Sequence, residues 1–274
     1  MYIRDKIILI TGASSGIGAA AALAFERAGA RVALAARRKD KLDELAEKMT
    51  GAFVIRVDMH DELQAKQMVR DVIAHFGRLD VLVNNAACII VSPAETVSSA
   101  DLLKTIQTNL IGAVAATQEA VSLSKDHGGL HIINIGSPGF MMGIPFYAPY
   151  VCSKAAFSAW TRTIQAEWTG SGIIVSEYFP GYILTDSKPE SRIGEVSQDF
   201  LMSRKQNWLT RKFTKPRTPE DVADQLIRLI LKPKPIMYSD PSVRLGAFIS
   251  NFSGFRLNLA CQMARTGREK MKNL

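Results

Sequence analysis

The sequence predicts a doubly wound α/β domain: a parallel sheet of about seven strands with helices on both faces, followed by a helical C-terminal extension. Two observations carry this reading. Short runs rich in Val, Ile and Leu recur from the N-terminus with helix-length segments between them, and a glycine-rich turn follows the first run directly. Continuous apolarity marks strands buried on both faces, and their regular alternation with helices implies crossover connections within one sheet.

The strands are KIILIT (6–11), RVALAA (31–36), AFVIRVD (52–58), DVLVNNA (80–86), LHIINIG (130–136) and IIVSEYFP (173–180). Helix-length segments include 16–29, 62–77 and 150–170. The pattern loosens over 181–217 and resumes at 218–233, where Thr218 as N-cap, Pro219 and two first-turn acids mark a helix start. IMYSD (236–240) supplies a seventh strand. Beyond it, Leu245, Phe248, Ile249, Phe252, Leu259 and Met263 fall on one helical stripe. Residues 1–240 thus read as one domain and 241–274 as a basic amphipathic extension.

A length of 274 residues with 47% hydrophobic and 22% charged residues suits a globular protein with a large core. Cys88, Cys152 and Cys261 are widely spaced, which argues against a disulfide framework or a zinc site and fits a reducing compartment. The four histidines offer no ligand cluster, so no metal is expected. The N-terminus lacks the features of a signal peptide, and no run approaches the ~20 apolar residues of a membrane span; a cytoplasmic location is expected. Net charge is +8, unevenly placed: residues 1–186 hold 17 Lys+Arg against 18 Asp+Glu, residues 187–274 hold 17 against 8. A solvated basic face, an anionic membrane surface, nucleic acid or an acidic substrate each fit such a tail. Nucleic acid is disfavoured, because no recognition motif accompanies the charge.

Open α/β sheets bind ligands beyond the carboxyl ends of their strands, so the strand ends are where chemistry is sought. TGASSGIG (11–18) places Gly12, Gly16 and Gly18, with Ser14, Ser15 and Ile17 between them, at the start of an alanine-rich helix. Glycines here allow a tight turn and let a pyrophosphate approach the backbone at a helix N-terminus. After the second strand, Ala36 is followed by Arg37 and Arg38 where an acid would hydrogen-bond a ribose hydroxyl and arginine would accept a 2′-phosphate. NADP(H) is therefore expected over NAD(H), with Arg37 ranked first and Arg38 second. In YAPYVCSK (147–154), Tyr150 and Lys154 stand four apart, on one helix face, while Tyr147 is seven back. An ammonium beside Tyr150 would lower its pKa from about 10 and suit it to acid/base work.

The spacing GxxxGxG, together with Ser137 after the fifth strand and Tyr150 and Lys154 13 and 17 residues later, resembles the short-chain dehydrogenase/reductase family. The resemblance covers roughly residues 5–185 and implies a Rossmann-like fold and an oxidoreductase. It implies a catalytic set of Asn109, Ser137, Tyr150 and Lys154. A carbonyl oxygen would lie between the Ser137 and Tyr150 hydroxyls, Tyr150 acting as general acid, Lys154 lowering its pKa and holding a ribose, and Asn109 supporting a water. It also implies cofactor contacts at Asp58 and Met59, at Asn85 and Ala86, and at Pro180, Gly181, Ile183 and Thr185. Asn84 serves equally well to tie strands together. Two departures stand out: Ala87 replaces the final glycine of NNAG, and Gly136 replaces the first of a usual serine pair.

The segments expected to border the pocket are apolar, CIIV (88–91) and the stretch containing Phe140, Met142, Phe146 and Tyr147, which with Ser137 and Tyr150 form the expected substrate contacts. Ordinary core packing would use the same residue types. If they face the pocket, the substrate is an apolar carbonyl or secondary alcohol, lipid-, steroid- or aromatic-like. Residues 186–217 resemble the family's substrate lid. The family favours a homodimer or homotetramer, and the basic last helix fits packing on the domain, on another subunit, or peripheral contact with a membrane. The competing class is a non-catalytic NADP(H)-binding sensor or scaffold.

Overall fold

The computed structural model of the chain describes residues 3–124, 129–183, 190–191 and 217–249. Its core is a sheet of seven strands: β1 (Ile7–Thr11), β2 (Arg31–Ala36), β3 (Phe53–Arg56), β4 (Val81–Asn84), β6 (His131–Ile135), β7 (Ile174–Phe179) and β9 (Ile236–Tyr238). The spatial order is β3-β2-β1-β4-β6-β7-β9, and every pairing is parallel. All seven strands lie within the runs expected. A separate ladder of β5 (Ile90–Val91) and β8 (Glu190–Ser191) has only two residues per strand, too short to leave a sequence pattern.

Helices cover both faces. On one, α1 (Gly16–Arg27) packs its alanines and Phe25 against α8 (Pro219–Leu231), over Ile8, Ile10 and Leu34. On the other, α3 (Glu62–Phe76) and α5 (Gly112–Leu123) pack together over Ile7, Leu9 and Leu82, with Ile164 of α7 (Ala148–Glu167) in the same cluster. Complete burial of β1 follows from being sandwiched between these layers. The smaller helices are α2 (Lys39–Ala46), α4 (Ser99–Ile106), α6 (Gly139–Met142) and α9 (Pro241–Ile249).

Local chemistry fixes the boundaries. Asp61 caps α3 by accepting from the Leu63 and Gln64 amides at 2.8 and 3.2 Å, and Gly77, left-handed at φ 84°, ends it. Thr218 and Asp221 form the capping box of α8 with Pro219 beside it. The α9 start is held by Asp240, whose carboxylate accepts from the Ser242 and Val243 amides.

Strand order reverses between β1 and β4, opening a crevice at their carboxyl ends. In the extension, α9 starts two residues before the expected stripe and exposes Leu245 and Phe248. The rest of the stripe, Phe252, Leu259 and Met263, and most of the expected lid lie outside the described residues. Among the described residues no helix is long and apolar enough to cross a membrane.

Candidate active site

The floor of the crevice is built by Thr11, the last residue of β1. Its hydroxyl donates to the Val83 carbonyl at 3.3 Å and accepts from the Asn85 and Ala86 amides at 3.0 Å each. The Asn85 side chain donates back to the carbonyls of Thr11 (2.8 Å) and Gly12 (3.3 Å). Asn85 therefore braces the glycine turn as well as lining the crevice. A strand-ending polar residue directly before the glycines was the available signal for Thr11. Asn84 is buried and donates to Thr117 Oγ1 and Asn134 Oδ1, so it ties β4 to α5 and β6.

Glycine is required by the turn itself. Gly12 is left-handed at φ 68°, and a Cβ there would stand 2.8 Å from Ala86 Cα; a Cβ on Gly18 would stand 2.3 Å from the Gly12 carbonyl oxygen. Ser15, at the N-cap of α1, makes no side-chain capping bond, and the first turn carries no acid. Ile17 packs against the core on the α1 side. A helix start with uncapped amides behind a close-approach turn fits a dinucleotide pyrophosphate.

Arg38, ranked second in the sequence, is the arginine at this turn. Its Nη2 donates to Ser15 Oγ at 2.8 Å and Ser14 Oγ at 3.0 Å, and Nε reaches Ser14 Oγ at 3.2 Å. Arg37 is exposed. Asp58 is partly buried, its Oδ1 accepting from the His60 amide at 3.0 Å, and Met59 is buried beside it.

Beyond β6, Ser137 is buried and accepts from the Gly139 amide at 3.1 Å. Tyr150, in the first turn of α7, has its hydroxyl close enough to Ser137 for the serine to favour the phenolate. Lys154, one turn further, is 2% exposed and donates to the Ile135 carbonyl at 2.8 Å. The order Ser137, Tyr150, Lys154 thus becomes a cluster where β6 meets α7. Burial dominates its electrostatics, pushing the Tyr150 hydroxyl above its ordinary range with Ser137 working against it. Burial brings Lys154 itself down to about 8, with Glu177 opposing. The Ile135 carbonyl holds the ammonium one helical turn from Tyr150.

Asn109 lies in a π-helical turn, Gln107–Ile111, between α4 and α5. Its side chain bonds within the protein: Oδ1 accepts from the Cys88 amide at 2.6 Å, and Nδ2 donates to the Cys88 carbonyl and to Ser153 Oγ, both at 2.9 Å. Ser153 in turn donates to the Tyr150 carbonyl at 2.7 Å. The Asn109 side chain therefore positions the loop after β4 and the start of α7. The turn that carries it is of a kind often found at functional sites.

Of the apolar candidates, Tyr147 lies beside the cluster. The Tyr147 ring stands edge-on 6.5 Å from Tyr150, and burial pushes its hydroxyl up to about 12. Phe140 packs 6.1 Å from Phe179. Phe146 is left-handed at φ 68° despite its side chain, and its carbonyl accepts from the Ser92 amide at 2.9 Å. The Met142 side chain and Thr185 lie outside the described residues. After β7, Pro180 leads to Gly181, whose amide donates to Ser239 Oγ at 2.9 Å, and Ile183 is buried and bridges to Arg217. Among the described residues no cluster of His, Cys, Asp and Glu is arranged for a metal.

Besides Thr11, Glu177 was missed. Glu177 is fully buried in β7 and faces α7, and burial pushes its carboxyl up to about 7 against the pull of Ser158, Arg162 and Lys154. A single acid inside an apolar strand was the signal.

The family model for short chain dehydrogenase matches residues 6–195. The chain is 36% identical over 183 residues to an uncharacterized oxidoreductase of Thermotoga maritima, spanning 66% of this chain and 73% of that protein. It is 36% identical over 206 residues to 11-beta-hydroxysteroid dehydrogenase 1A of Arabidopsis thaliana, spanning 71% of this chain and 58% of that one. An alcohol dehydrogenase of the archaeon Thermococcus sibiricus, solved with 5-hydroxy-NADP, is 26% identical with a TM-score of 0.71, covering 86% of this chain and 96% of that one. With the crevice, the glycine turn and the Ser137–Tyr150–Lys154 cluster in place, the chain belongs to the short-chain dehydrogenase family of oxidoreductases.

Proposed function

We propose that the protein interconverts a carbonyl and a secondary alcohol on an apolar small molecule with NADP(H) as hydride partner. The observation that carries this reading is the Ser137–Tyr150 pair, whose side chains lie together one turn from buried Lys154. When bound, the nicotinamide supplies or accepts the hydride. The chain's own residues manage the oxygen. Ser137 donates a hydrogen bond to the oxygen as negative charge grows on it, and Tyr150 gives up its proton to that oxygen in reduction and takes it back in oxidation. Lys154 holds positive charge one helical turn away, which favours the phenolate left behind.

NADP(H) is supported by Arg38 across Ser14 and Ser15, by the lack of an acid at the end of β2, and by the NADP analogue bound to the Thermococcus relative. An apolar substrate is supported by Tyr147 beside the cluster, by Phe140 and Phe146 in the same segment, and by the hydroxysteroid dehydrogenase name of the Arabidopsis relative. The test is NADPH consumption by the wild type and Tyr150→Phe against carbonyls from small aldehydes to steroid and long-chain ketones, with NADH in parallel. Turnover that favours NADPH and large apolar ketones, and falls by about 10²–10⁴ in Tyr150→Phe, is expected. Undiminished turnover in that variant, or tight NADPH binding without turnover of any carbonyl, would overturn the reading.

A further inference from the structure

Glu177 is a charged residue with no exposed surface, and its two carboxylate oxygens lack hydrogen bonds of ordinary geometry among the described residues. Such a group is costly to keep ionised unless charge of opposite sign lies close. Two cations do, both from α7. Lys154, Ser158 and Arg162 are spaced four apart, so they share the face of the helix that lies on β7. Arg162 Nε is 4.0 Å from Glu177 Oε2, and the Lys154 charge also favours the carboxylate. Ser158 is buried between them along the helix.

The backbone of β6 joins the two ends of this arrangement. Lys154 donates to the Ile135 carbonyl, and at the next residue, Gly136, a Cβ would stand 3.1 Å from Glu177 Oε1. The missing side chain at Gly136 is the space the carboxylate uses. The other residues alongside Glu177 are Asn134 on β6 and Ile236 on β9, its register partners, neither of which titrates. Lys154 and Arg162 are thus the charged groups that face it, and Arg162, half exposed, already has solvent to support its charge. Lys154 has none, and depends on its buried surroundings.

Resting on the oxidoreductase reading, we propose that Glu177 is a positioning residue for the reaction: its buried carboxylate holds the proton on Lys154 and so sets the upper pH limit at which Lys154 carries charge beside Tyr150. The sign follows from electrostatics. With the anion present, the buried ammonium is favoured; without it, burial alone acts on Lys154 and the proton leaves at lower pH. A purely structural Glu177 would alter stability and leave that titration where it is.

The test follows the Lys154 side-chain resonance through a pH titration of the full chain labelled with [¹³Cε]lysine, assigned by its loss in Lys154→Arg. The Lys154 midpoint in Glu177→Gln is expected to fall by about one pH unit or more relative to wild type. The high-pH limb of NADPH-dependent turnover is expected to move down with it. An unmoved midpoint overturns the proposal. If Glu177→Gln does not fold, the wild-type curve decides: two linked steps, reporting Glu177 and then Lys154, support it, and a single step overturns it. The midpoint is readable whether or not any carbonyl is turned over. Failure of the oxidoreductase reading would therefore show as absent turnover, and failure of this role as an unmoved Lys154 in an active enzyme.

Discussion

Arg38 reaches across the glycine turn to Ser15, Nη2 to Oγ at 2.8 Å, although like adjacent Arg37 it is exposed. Neighbouring residues at a strand end project in different directions, and Arg38 is hydrogen-bonded to both serines of the turn. Arg38→Ala should weaken NADPH binding roughly 10- to 100-fold with little change for NADH, the loss of one or two hydrogen bonds to a charged group. Arg37→Ala should cost less. Fluorescence titration of both variants with both nucleotides is the check, and an equal loss for NADPH and NADH in Arg38→Ala would remove Arg38 from 2′-phosphate recognition.

Gly112, at the start of α5, lies against the Met59 carbonyl; a Cβ there would stand 2.0 Å from that oxygen. Both partners are backbone or backbone-fixed, so neither can yield cheaply. Gly112→Ala should destabilise the protein by about 2–3 kcal/mol in urea unfolding. A variant of wild-type stability would mean that the loop after β3 gives way easily.

His131 is buried at the start of β6 with Nε2 2.8 Å from Ser176 Oγ, and burial, helped by Lys6, pushes its pKa down to about 4. The native state then binds fewer protons than the unfolded chain between about pH 6.5 and 4. Its stabilising contribution is complete above pH 6.5 and is lost as the pH falls towards 4, a change of about 3 kcal/mol from this group. Urea midpoints at pH 7 and 4.5 should show the drop, and His131→Gln should flatten it. An equally steep fall in that variant would assign the pH dependence to other groups.

A serine restored at Gly136 would bring a Cβ to 2.8 Å from the Phe179 ring and 3.1 Å from Glu177 Oε1. Gly136→Ser should therefore cost about 1–3 kcal/mol in thermal or urea unfolding. Gly139→Ser provides a contrast, since its nearest contact is the flexible end of Ile144. A larger loss at 139 than at 136 would show that Phe179 and Glu177 can move aside.

The strands were legible because each is an apolar run long enough to register, and the helices 16–29 and 218–233 because caps or glycine mark their ends. The β5–β8 ladder was not, since two residues carry no period. Ser137, Tyr150 and Lys154 could be placed near one another from spacing and strand order. That burial would oppose ionisation at Tyr150 could not, because burial depends on how α7 packs against β6. The Asn109 turn was equally hidden: a change from α to π hydrogen bonding leaves the hydrophobic pattern almost untouched. Glu177 was visible in the sequence as a lone acid in an apolar strand, but its relation to Lys154 needed the packing of α7 on β7.

The Thr11 hydroxyl fastens β1 to the segment leaving β4 with three hydrogen bonds at the point where the sheet changes direction. Two halves of the sheet that are not consecutive in the chain are riveted there by one side chain, so the cleft has a fixed keel. Ligands of different size must be accommodated at its upper margins, by the segments after β4 and β7. Those segments can lengthen, shorten or change character without shifting the seat beneath them, and new specificities can arise on this frame without rebuilding its foundation.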